Sequence, residues 1–161
     1  AAAGGSSAPP TDNVDAGGPS SPSGPGSTSA PPSSAAPAPQ PTSNSQMAAA
    51  TMTKYFNAIN AHDYVTAYGL TSSTWQDSNH YSTYAQGYRS TQISNVKLLS
   101  ATEDPTLDIE FQSTQDPSDA PPSSYGATCL IWNERMEFQY ENGQYVISKF
   151  KKTTDPAFHS C

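Results

Sequence analysis

Large aliphatic and aromatic side chains are missing from residues 1–46 of this chain, with Val14 as the single exception. The same stretch holds ten of the fifteen prolines and no Lys or Arg. Ordering each residue costs roughly 1–2 kcal/mol of backbone entropy. A segment with nothing to bury cannot offset that cost and is expected to stay disordered. All nine tyrosines, both tryptophans and both cysteines follow it. The expected organisation is therefore a Pro/Ser/Ala/Gly-rich tether over residues 1–46 and one folded domain over residues 47–161, a length that buries roughly two-thirds of its unfolded surface around a single core. Random-coil scaling gives such a tether a reach of roughly 35–40 Å.

The formal net charge is −7, and the basic residues Lys54, Arg89, Lys97 and Arg135 are scattered, with only Lys149, Lys151 and Lys152 clustered. Nucleic acid and anionic membrane both require a basic footprint, so neither is expected as a partner. The lysine cluster reads as a solvated strand end. The sequence has no run of 18 apolar residues, so membrane attachment is expected only through an anchor outside it. The chain opens on AAAGGSSAPP, without the charged start and apolar core of an export signal, which is expected to precede Ala1.

Within the folded part the hydrophobic period is first helical. Met52, Tyr55, Phe56 and Ile59 fall at i, i+3, i+4 and i+7 and predict a helix over 47–61. Asp63 is suited to cap a second helix carrying Tyr64, Ala67 and Tyr68 up to Gly69 and Leu70. Ser72, Ser73 and Thr74 offer a third start before Trp75, and the spacing of Tyr81, Tyr84 and Tyr88 predicts a further short helix between His80 and Ser90. After Ser90 the period changes to two. One strand alternates around Val96, Leu98 and Ser100. A second sets Leu107, Ile109 and Phe111 against Asp108, Glu110 and Gln112, after a turn at 104–106. A polar loop from Gln115 to Ser124 precedes the longest strand, which places Leu130, Trp132, Met136, Phe138 and Tyr140 on one face, interrupted by Glu134. The Glu141-Asn142-Gly143 turn then leads into the strand QYVISKFK. Helices followed by an antiparallel meander predict an α+β fold, with N-terminal helices packed on a curved antiparallel sheet of about four strands.

Cys129 and Cys161 are the minimum for one disulfide, which suits an oxidising compartment. Closing the loop between them would contribute roughly 3–4 kcal/mol in the chain-entropy account. Two free thiols in a reducing cytoplasm are the alternative. The disulfide and the tether together predict an extracytoplasmic location for a bacterial protein, either secreted or anchored at a cell surface in the manner of a lipoprotein.

The stretch MTKYFNAINAHDYVTAYGL and the closing MEFQYENGQYVISKF, in this order of elements, resemble the nuclear transport factor 2-like superfamily, whose cone-shaped fold is shared with ketosteroid isomerase. The resemblance spans most of residues 47–152 and implies helices leaning on a strongly curved sheet. For the isomerase members it implies an oxyanion hole of a Tyr and a protonated Asp plus a separate Asp base. Matching the NAINAHD break places Tyr55 at the tyrosine. Matching the aromatic hairpin places Met136 at the second donor, where a thioether cannot donate. Asp77 is the single loosely placed base. The isomerase chemistry is thus mostly not carried over.

The aromatic side chains predict instead a pocket built from Tyr55, Tyr68, Trp75, Tyr84, Trp132 and Met136, binding a small apolar ligand or a protein partner. Glu134 is the strongest chemical candidate, because a carboxylate on the inward face would be desolvated. Pairing with Arg135 or Arg89, or a bulge turning it outward, are the other possibilities. His62, His80 and His159 show no ligand spacing, and neither a metal nor a cofactor is expected. An isomerase- or dehydratase-type enzyme using Tyr55 and Glu134, with His80 in support, is the alternative function. A third is an external sensor or accessory domain of a membrane protein. Lys97, Asp108, Glu110, Arg135 and Glu137 make the outer sheet face polar, so a monomer or at most a weak dimer is expected.

Overall fold

The structure, a computed structural model, describes residues 43–161. The expected tether lies outside the described residues except for its last four positions, and these are not a tether. Ser43 caps the first helix, α1 (Asn44–Asn60), through a reciprocal capping box in which its side chain accepts from the Gln46 amide and the Gln46 side chain accepts from the Ser43 amide. The helix therefore starts ahead of its first large apolar residue, because its cap is polar. Glu103 adds a second anchor. Its carboxylate accepts from Ser45 Oγ at 2.9 Å and from the Asn44 amide at 3.3 Å, at the end of the helix where backbone N–H groups lack partners.

Three short helices follow: α2 (Tyr64–Gly69), α3 (Ser73–Ser78) and α4 (Tyr81–Gly87). Asp63 caps α2 by accepting from the Thr66 amide, and Ser72 caps α3 by accepting from the Trp75 amide. The INAHD break is a set of polar joints. Asn60 donates to the Ile93 carbonyl at 2.8 Å and accepts from the Ile93 amide at 2.6 Å, which pins the end of α1 to the first strand. His62 takes a left-handed backbone, φ 57°, that turns the chain before the Asp63 cap.

The sheet is antiparallel in the order β1 (Gln92–Ala101), β2 (Thr106–Thr114), β3 (Cys129–Glu141), β4 (Gln144–Lys152). A fifth strand, β5 (Phe158–Ser160), which the sequence pattern did not announce, pairs with Leu130–Trp132 of β3 beyond the point where β4 ends. Cys161 follows β5 directly and forms a disulfide with Cys129 at the start of β3, with the Cα atoms 5.5 Å apart. Asn142 and Gly143 both have positive φ, 49° and 86°, as a two-residue hairpin between twisted strands requires.

Bulges shape this sheet. One interrupts the β3–β4 register between Glu137 and Phe138, and two interrupt β1 against β2, at Ser94–Lys97 and Leu98–Ser100. Extra residues on one strand bend it and increase its twist. They also break the simple alternation expected for β1: Lys97 and Ser100 pair with Glu110 and Asp108 of the polar face, whereas Leu98 pairs with Ile109 of the apolar face. Val96, Leu98 and Leu99 are nevertheless exposed. The free edge of β4 is covered by the α2–α3 link, where Ser72 N donates to the Ile147 carbonyl and Ile147 N to the Leu70 carbonyl.

The inner face of the sheet carries the core. Met52, Tyr55, Phe56 and Ile59 of α1 are buried with Leu107, Ile109, Phe111, Met136, Phe138 and Ile147. The outer face is laced by cross-strand ion pairs, Lys97–Glu110, Arg135–Asp108 and Lys151–Glu137. Among the described residues no helix is long and apolar enough to cross a membrane.

Candidate functional site

The helices do not close over the whole inner face. Between α1, the α3–α4 segment, the 115–121 loop and the sheet lies an open cavity of about 470 Å³. Its walls are mostly rings. Trp75 meets Tyr84 edge-on at 5.8 Å and Phe150 at 6.1 Å, Tyr84 packs on Tyr88 at 4.9 Å, and Tyr55 on Phe150 at 5.8 Å. On the opposite side Trp132 stacks on Phe111 with the ring planes 8° apart. Ring faces carry negative charge density and ring edges positive, so this wall favours flat apolar bodies and cations over anions.

Four of the six residues expected to build the pocket line this cavity, Tyr55, Trp75, Tyr84 and Trp132, and Glu134, the chemical candidate, lines it with them. Tyr68 and Met136 do not line it. Tyr68 stands behind the wall, where its ring packs on Trp75 and Tyr84 and its hydroxyl donates to the Asn79 carbonyl at 2.8 Å. Met136 is fully buried beneath α1, on the same inward face but at a level that the helix covers. Sequence reasoning missed Tyr88, Phe111 and Phe150 as lining residues. The period-two pattern puts Phe111 and Phe150 on strands but not in a cavity, since strand periodicity gives a face and not the extent of helix cover. Asp77 is exposed and lies outside the lining, whereas His80 is an exposed residue of the rim.

Two of the polar arrangements here are complete. Trp132 Nε1 donates to Ser113 Oγ at 2.8 Å, Ser113 Oγ donates to Gln115 Oε1 at 2.9 Å, and Gln115 Nε2 donates to the Ala127 carbonyl at 3.0 Å. This chain fixes the indole plane and ties the 115–121 loop to the sheet. Asp119, also in the lining, accepts from Arg89 Nε at 2.9 Å and Ser90 Oγ at 2.6 Å. The Arg89 guanidinium beside it holds its carboxyl below the ordinary range.

Three groups are not complete. The hydroxyls of Tyr55 and Tyr84 are buried and have no hydrogen-bond partner in the protein. They lie close to each other and to the Tyr88 hydroxyl, and burial pushes all three phenols above their usual range. A buried donor left without a partner costs about 1–3 kcal/mol, so water or a ligand in the adjacent cavity would relieve it.

Glu134 is the third. It faces Ile109 of β2 across the inner face. The alternatives raised by its sequence do not occur: Arg135 pairs with Asp108 and Arg89 with Asp119, and the β3–β4 bulge lies beyond it at Glu137. Lys152, its cross-strand neighbour on β4, pairs with Asp155. Removal from water raises the Glu134 carboxyl to about 7. The cavity thus holds a carboxyl that changes charge near neutral pH and has no protein counter-ion.

Among the described residues no three His, Cys, Asp or Glu side chains converge. Comparison of the sequence with protein families finds no match, and comparison with curated proteins finds no significant match.

Proposed function

We propose that this protein is a binding module that takes a small, largely apolar molecule into the aromatic cavity between α1, α3–α4 and the sheet. The observation that carries this reading is the coincidence of an open cavity of about 470 Å³ with buried hydroxyls on Tyr55 and Tyr84 that the protein leaves without partners. The volume lies within the range of small-molecule sites, and such sites pair an apolar lining with a few polar groups that orient the guest. The helix order and the bulged, curved sheet support placing the chain in the nuclear transport factor 2-like superfamily. The Cys129–Cys161 disulfide supports work outside the cytoplasm, at a cell surface or in secretion.

Naphthylmethanol, a flat apolar body with one hydroxyl, is a suitable probe. A ligand that binds only the folded state stabilises it by about 2.7 kcal/mol at one hundred times its dissociation constant, enough to raise the unfolding temperature by several degrees. That rise should be saturable. No rise at any soluble concentration would contradict the proposal.

Glu134 also favours a second reading, an isomerase-type enzyme. A base whose pKa is about 7 is well matched to removing a proton beside a carbonyl, with Tyr55 on the same cavity. Solvent deuterium entering the α-carbon of a naphthyl ketone, and ceasing to do so in Glu134→Gln, would mark this chemistry.

A further inference from the structure

The cavity's polar groups are unequal, and the inequality bears on what enters it. Resting on the ligand-binding reading above, we propose that the cavity selects a protonated amine carried on an apolar body, with the Glu134 carboxylate as its counter-ion and the aromatic walls as its second cation-binding surface.

Three observations carry this. First, Glu134 makes no hydrogen bond or ion pair with any described residue, while the basic groups beside it in sequence and register are engaged elsewhere: Arg135 with Asp108, Lys152 with Asp155. Arg89, outside the lining, is held by Asp119. A carboxylate in a half-enclosed site with no protein cation is short of one positive charge. Second, Trp75, Trp132, Tyr84, Tyr88 and Phe150 line the same space, and aromatic faces attract an ammonium group most strongly where water is excluded. Third, the net charge of −7 draws cations toward the protein and repels anions. A carboxylate-bearing guest would meet Glu134, Asp119 and the ring faces together, and the lining holds no Lys or Arg to receive it.

The groups facing Glu134 determine how pH enters. Tyr55 on α1, Tyr84 on α4 and Tyr88 directly after it are neutral across the working range, their phenols raised by burial. His80 stands at the rim, Asp119 stays ionised against Arg89, and Lys152 lies across the strand pair. In the empty protein Glu134 is protonated below about pH 7. An amine needs it ionised, so amine affinity rises with pH up to that point and then levels, and binding below it releases a proton. A guest that accepts a hydrogen bond from the protonated carboxyl shows the reverse slope.

Calorimetric titration of the whole chain with naphthylmethylamine, naphthylmethanol and naphthoate, three probes sharing one body, decides the matter. At pH 8 the amine should bind at least about tenfold more tightly than the alcohol, and naphthoate more weakly than either. Amine affinity should rise at least about tenfold between pH 5.5 and pH 8. Glu134→Gln should bring the amine down to the level of the alcohol and remove its pH dependence. Alcohol binding equal to the amine at pH 8, or an amine preference that survives in Glu134→Gln, would overturn the amine proposal while leaving the cavity as a ligand site. Failure of all three probes would overturn both.

Discussion

At Glu134 the two-residue repeat of β3 brings a carboxyl onto the inner face, between Trp132 and Met136, and desolvation does the rest. Its folded-state pKa of about 7 exceeds the ordinary value of 4.5, so the folded protein holds this proton more tightly than the unfolded chain does. The stability it contributes is complete below about pH 4.5 and is lost as pH rises through about 7. Glu134→Gln removes this loss. The variant should match the natural chain at pH 4 and exceed its stability by about 1–3 kcal/mol at pH 8, as read from denaturant midpoints at the two pH values. A Gln variant less stable at pH 8 would mean that the carboxylate has a cation that the structure does not give it. The location of Glu134 on an inward face was legible from alternation alone. Its lack of a counter-ion was not, because only the fold shows that Arg135 reaches Asp108 across the outer face and that Arg89 is taken by Asp119.

Among the elements, α1 has most to do with shaping the site, since Tyr55 and Phe56 form one wall and the helix decides which part of the sheet stays uncovered. Ser43→Ala removes the side-chain half of its capping box and should cost about 1 kcal/mol, visible as a lower unfolding temperature. An unchanged temperature would put the effective start of the helix further along. The apolar stripe of α1, the Asp63 cap and the Asn142-Gly143 hairpin were all readable, since each is a local pattern with a local cause. The capping box at Ser43 and Gln46 is also a local pattern, hidden by the Pro- and Ser-rich segment it terminates. Asn60 is bonded twice to the backbone of Ile93, a pairing that no local pattern announces because its partner lies on a strand far along the chain. β5 was hidden for a different reason: three residues, FHS, carry no periodicity, and they form a strand because β3 extends past the end of β4 and offers an unpaired edge. The bulges in β1 are likewise set by pairing, and they displaced the alternation expected at Val96, Leu98 and Ser100.

For the molecule as a whole, the disulfide connects stability to the cavity. It fixes β5 beside the start of β3, and β5 carries Phe158, whose ring lies 4.6 Å from that of Trp132. Replacing both cysteines by serine should lower stability by about 3 kcal/mol and weaken probe binding together, because a frayed β5 withdraws support from one cavity wall. Equal affinity in the serine variant, measured well below its unfolding temperature, would separate the staple from the site. The chain has two tryptophans, and both Trp75 and Trp132 line the cavity on opposite sides. Its two indole N–H proton resonances therefore report on the site and on no other tryptophan. The most direct measurement is their titration with naphthylmethanol in the natural chain. Both resonances should shift together along one saturable curve; resonances that stay fixed up to the solubility limit of the probe would show that the cavity takes no such guest.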